Sequence, residues 1–150
     1  MASFRNNSNL NRYFSGLAKE PYHIINLTLA GVIIAVMAYS GIFSPDGDKY
    51  PVACVHEKIT GQPCISCGLS HSFSLIVRGR IAEAYQWNQN GMRVFLFFLS
   101  QLVFRIDFLR LSVRRPENRS QLIIYDSVAS GLLFLVSFWP FIMNILKGIF

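Results

Sequence analysis

The sequence predicts an all-α integral membrane protein, with three spanning helices and a short interfacial or re-entrant helical hairpin between the first two. Two observations carry that expectation. Hydrophobic residues make up 52% of the chain, including 13 phenylalanines, while charged residues make up 15%, against about 25% in soluble proteins. The charged residues also stand at the ends of long apolar runs, as membrane topology requires. A water-soluble core built from 150 residues has no place for so much apolar surface. The net charge of +6 therefore points to membrane orientation and not to nucleic acid. With no repeats, linkers or low-complexity tracts, residues 1–150 read as a single membrane domain.

Residues 1–20 form a polar tail carrying Arg5, Arg12 and Lys19, with a candidate interfacial segment around Tyr13 to Leu17. The first span covers residues 23–43, about 30 Å at 1.5 Å per residue, which matches a hydrocarbon core. Pro21 suits its start, and Ser44-Pro45-Asp46-Gly47 its stop. A secretory leader cleaved after Ala38-Tyr39-Ser40 is a rival, but the apolar stretch is long for one.

Residues 44–91 hold a cysteine-bearing loop and then two short helical segments. Leu69, Phe73, Ile76 and Val77 share one side of the first segment, Gly79 breaks it, and the second runs from Ile81 to Trp87. Neither is long enough to cross a bilayer. Tyr85 and Trp87 suit the headgroup level.

The second span, residues 92–111, is the difficult one. Its uncharged run from Val94 to Phe104 is too short to cross, so Arg93, Arg105 and Asp107 must enter the membrane region. Arg93 can snorkel outward. Asp107 and Arg110 are three apart and can pair on one helix face. Arg105 cannot reach Asp107 that way, and Asp126, at the matching end of the third span, is its candidate partner. Such residues invite a functional reading, but a position near the interface favours a structural one. A basic loop, 112–122, leads to the third span, 123–146.

Small residues mark close helix contacts in lipid. Gly31, Ala35 and Ala38 on the first span and Ser127 and Gly131 on the third are therefore expected at packing faces. A polar line, Ser130, Ser137 and Asn144, is expected to face protein. Eight basic residues (Arg5, Arg12, Lys19, Arg105, Arg110, Arg114, Arg115 and Arg119) stand on the side of the tail. Six (Lys49, Lys58, Arg78, Arg80, Arg93 and Lys147) stand on the other, more widely spread. The denser set stays inside, which puts the N-terminus in the cytoplasm and the cysteine loop outside.

The chemistry concentrates in Cys54, Cys64 and Cys67, with His56 and His71 nearby. A disulfide fits an outer, oxidising location. Three thiolates with one histidine would give a zinc set, although a second C-x-x-C is missing. A redox pair is favoured by a helix start near Leu69, whose dipole lowers a thiol pKa. Inert thiols are the fourth alternative.

Cys54, then Thr60-Gly61, then Cys64-x-x-Cys67-Gly68-Leu69-Ser70, followed by Gly79, Ala82, Ala84, Asn88 and Gly91, resemble the small bacterial membrane proteins of domain-of-unknown-function family 2752. The family pattern has proline at Ile65, threonine at Ser70, arginine at His71 and a second proline at Gln89. The resemblance implies three spans, a cysteine box and a bacterial inner membrane. It implies no activity and no cofactor. The expected role is a non-enzymatic accessory or structural subunit, with the lipid bilayer and other membrane subunits as partners. The alternatives are a thiol-disulfide redox protein using Cys64 and Cys67, or a metal-holding protein.

Overall fold

A computed structural model describes residues 20–44, 59, 61 and 65–149. The candidate segment Tyr13 to Leu17, Cys54, His56 and Cys64 lie outside the described residues. Those that are described build five α-helices and a 3-10 turn, with no strand among them.

Helix α1, Pro21–Ile42, begins on a proline whose missing N–H costs nothing at a helix start. Helices α2, Leu69–Val77, and α3, Ile81–Trp87, form a hairpin. Helix α4 is Gly91–Arg114, and the turn Pro116–Asn118 joins it to α5, Arg119–Ile149. The basic loop expected over 112–122 is thus mostly helix. Pro116 ends α4 at Arg114, and only Arg115 and the three-residue turn separate the two long helices.

Two segments, Pro21–Ile42 and Pro116–Lys147, are long and apolar enough to cross a membrane. Their apolar side chains face outward. Val136 is 70% exposed and Leu132 60% exposed, a distribution that suits lipid and not water.

Helix α4 lies at the centre, packed against α1, α5, α2 and α3. Its buried positions, Gly91, Val94, Gln101, Arg105 and Ser112, follow intervals of 3, 7, 4 and 7, the spacing of a continuous helix-packing seam. On α1 the seam is His23, Asn26, Ile33 and Ser40. Gly31, Ala35 and Ala38, expected at a packing face, are exposed on the opposite side of α1 and make no contact surface within the chain. Ser127 and Gly131 of α5 are exposed as well. A side chain added at Gly31 or Gly131 would touch nothing within 4 Å. Polar side chains, instead of small ones, decide which faces meet within the chain. On the expected polar line Ser137 is buried and Ser130 half-buried, but Asn144 is exposed.

The half of the α4–α5 seam nearer the α2–α3 hairpin is aromatic. Phe97 stands edge-on to Phe138, with ring centres 5.1 Å apart, and Phe134 stacks on Phe138 at 4.8 Å. Phe73 of α2 meets Phe95 and Phe98 edge-on. Phe73 and Ile76 of α2 are buried as the amphipathic reading expects, but so are Ser72, Ser74 and Leu75, whereas Val77 is exposed. Helix α2 is therefore enclosed between α1, α3 and α4 and does not lie with one face free.

The end of α2 is held by two devices. Gly79 takes φ +77°, and Arg80 N–H donates to Leu75 O at 2.9 Å while Gly79 N–H donates to Ile76 O at 2.9 Å. Those two bonds form a Schellman turn. Arg78 then caps two helices at once, donating to Ser74 O on α2 and to Ser40 O and Gly41 O on α1. Carbonyls in a last helical turn lack intrahelical partners, and a guanidinium there also suits the dipole.

Candidate functional site

The sequence singles out two groups of residues, and the structure places one at the start of α4 and the other in its second half.

At the α2–α3 end, Ile65 to Gly68 form a turn that feeds α2. Gly68 has φ +76°, and a Cβ there would lie 2.7 Å from Trp87 O. Only glycine satisfies both the left-handed backbone and that approach. Asn88 reaches back across the hairpin, its Nδ2 donating to Ile65 O and to Cys67 O, both at 2.9 Å. Its Oδ1 accepts from Asn90 N–H at 2.8 Å, an Asx turn that leads into α4. Gly91 then abuts Ser72, and a Cβ at Gly91 would collide with the serine Oγ and Cβ. The spacing from Cys67-Gly68 to Asn88-x-x-Gly91 is thus one physical unit, a turn clasped by an amide.

His71 stacks on Trp87 with ring centres 4.4 Å apart and planes 10° apart. Burial holds its imidazole below the ordinary histidine pKa. Cys67 is half-buried in the turn. Among the described residues no three His, Cys, Asp or Glu side chains are grouped to hold a metal ion. Because Cys54, His56 and Cys64 fall outside those residues, a zinc set is not placed.

Residues 54–102 match the family model described as "Protein of unknown function (DUF2752)". This stretch resembles that family. The DUF2752-like part contains the box turn, the Asn88 clasp and Gly91, and it stops three residues before Arg105. No curated protein and no solved structure matches the chain.

In the second half of α4, Arg105 pairs with Asp126, and both are buried. Arg105 Nη1 donates to Asp126 Oδ2 at 2.9 Å and to Asn26 Oδ1 at 3.0 Å. Its Nη2 donates to Asp126 Oδ1, to Ser130 Oγ at 2.6 Å and to Gln101 Oε1 at 3.3 Å. Tyr22 O–H donates to Asp126 Oδ2 at 2.8 Å, and Ser130 Oγ stands 3.3 Å from Oδ1. All four acceptor positions of the carboxylate are thereby occupied. His23 Nε2 and Ser112 Oγ, 3.1 Å apart, add a buried contact between α1 and α4.

Arg105 lies nine residues before the end of α4, or about 14 Å inside it. Burial among three helices, paired with Asp126, is how the charge is accommodated within the bundle. Asp107 and Arg110 stand 3.7 Å apart and are 58% and 69% exposed, so theirs is a pair on the outside of the bundle. Sequence reasoning missed Tyr22, Asn26 and Gln101. The signal was present: polar residues one turn apart in the first span, and a glutamine one turn from Arg105.

Removing the Asn88 side chain should loosen the box. Asn88→Ala leaves two carbonyls without their donor, at a local cost of about 1–3 kcal/mol. Under reducing conditions Cys67 of Asn88→Ala should be alkylated faster than in the parent protein, as followed by mass spectrometry. An unchanged rate would show that the clasp does not govern the turn.

Proposed function

We propose that the chain is a three-span, non-enzymatic subunit of a larger bacterial inner-membrane complex. Its N-terminus is cytoplasmic, and its cysteine box is presented at the outer face by the α2–α3 hairpin. One observation carries the subunit reading. Gly31, Ala35 and Ala38 on α1, and Ser127 and Gly131 on α5, point away from the bundle. Small residues let helix backbones approach in lipid, so these outward faces suit neighbouring membrane helices better than acyl chains. At 24 residues, α4 reaches about 36 Å, sufficient for the third crossing. Tyr85 and Trp87, both exposed on α3, suit an interfacial position for the hairpin.

The test is isolation from membranes in mild detergent with short-range crosslinking. A companion chain captured by Ala35→Cys or Gly131→Cys supports the reading. Recovery at the mass of one chain, without a companion, counts against it.

A second reading, thiol-disulfide exchange through Cys64 and Cys67, draws on Cys67 preceding the N-terminus of α2, where the dipole favours a thiolate. A mixed disulfide trapped by Cys67→Ala would favour it, and full function of the Cys64→Ser/Cys67→Ser chain would remove it.

A further inference from the structure

We infer that Asp126 holds α4 across the bilayer by neutralising Arg105, so the crossing of α4 depends on a helix that follows it in the chain. The inference rests on the three-span reading above and adds the device that makes it possible. Helices α1 and α5 contain segments long and apolar enough to cross by themselves, and α4 is outside that set. Its uncharged stretch ends at Phe104, and Arg105 follows with its guanidinium fully inside the bundle.

The groups that pair with its two terminal nitrogens come from three helices, while Nε is buried without a partner. Asn26 belongs to α1, Gln101 to α4 itself, and Asp126 and Ser130 to α5. Only Asp126 brings a negative charge, and it grips both terminal nitrogens. Other buried charge is absent from the described core: Asp107 and Arg110 are exposed, and Arg119 pairs with Glu20 at 2.7 Å at the end of the bundle. An arginine within a hydrocarbon layer drives its segment back toward water unless it is paired. During synthesis α4 precedes α5, so the charge is compensated only after Asp126 arrives.

The experiment places single cysteine reporters at the two ends of α4, in the full-length chain. Gln89→Cys and Glu117→Cys occupy exposed positions. A membrane-impermeant maleimide is applied to intact and to permeabilised cells, and peptide mapping distinguishes each reporter from the native cysteines. With Asp126 present, one reporter should label in intact cells and the other only after permeabilisation. If both label alike, α4 does not cross, and the three-span reading fails before the inference is reached.

Given opposite sides, Asp126→Leu should raise intact-cell labelling at the protected end by about tenfold or more. Arg105→Leu/Asp126→Leu, which removes the charge together with its partner, should restore protection. Unchanged protection in Asp126→Leu overturns the inference. So does a double variant as exposed as the single one. If Asp126→Leu is degraded, accumulation of the double variant at parental levels supports the inference, and equal loss of both overturns it.

Discussion

Arg105→Ala should destabilise the detergent-solubilised bundle by about 3–5 kcal/mol, the range for removing one partner of a buried ion pair. The remaining carboxylate keeps Tyr22 and Ser130 near it, but it loses both guanidinium contacts. The neutral partners contribute less. Hydrogen bonds between membrane helices average about 0.6 kcal/mol each, so Asn26→Ala or Gln101→Ala should have a small fraction of the effect. Arg105→Lys should not rescue the protein, because an ammonium cannot fork across two carboxylate oxygens while also reaching Asn26 and Gln101. Asp107→Ala is the matched control. Its partner Arg110 lies 3.7 Å away at the surface, and such pairs contribute about 0–1 kcal/mol. Titration with a denaturing detergent in mixed micelles measures all five variants. A loss under 1 kcal/mol for Arg105→Ala would mean that the pair is a bystander to folding.

Gly68→Ala and Gly79→Ala should differ sharply, although both glycines take positive φ, +76° and +77°. At Gly79 an added Cβ meets nothing within 4 Å, leaving only the left-handed backbone cost of about 1–2 kcal/mol. At Gly68 the Cβ would press against backbone, 2.7 Å from Trp87 O and 3.3 Å from Trp87 C. Neither group can swing aside as a flexible side chain would, so the turn and the hairpin must separate. The expected loss is about 3–4 kcal/mol, the backbone cost plus that of an overpacked contact. Trp87 fluorescence, read in a Trp139→Phe background, offers a local readout, and it should change only in Gly68→Ala. Equal losses at the two glycines would show that the close approach to Trp87 is unimportant.

The helices were legible in the sequence because their signals are local. Pro21, Gly79 and the Asn88–Gly91 turn mark boundaries through backbone geometry that needs no distant partner. The Arg105–Asp126 contact follows from a charge that had no partner on its own helix face. The packing faces were harder to read. Gly31, Ala35 and Ala38 have the composition of a contact surface, but composition does not say whether the contact is made within the chain. The seam that forms instead, His23, Asn26, Ile33 and Ser40, mixes polar and apolar residues, and its logic appears only beside Ser112 and Arg105. The Arg78 cap was hidden for a related reason. Its acceptors are main-chain carbonyls 37 and 38 residues away, and main-chain atoms leave no trace in residue identity.

That cap limits how the cysteine turn can be borrowed by an engineer. A transplant of residues 65–91 alone would omit Ser40, Gly41 and Phe43, whose carbonyls accept from Arg78 and Ser74. The smallest portable cassette therefore includes the last turn of the first helix, supplied either in sequence or as a matched docking ledge on the recipient.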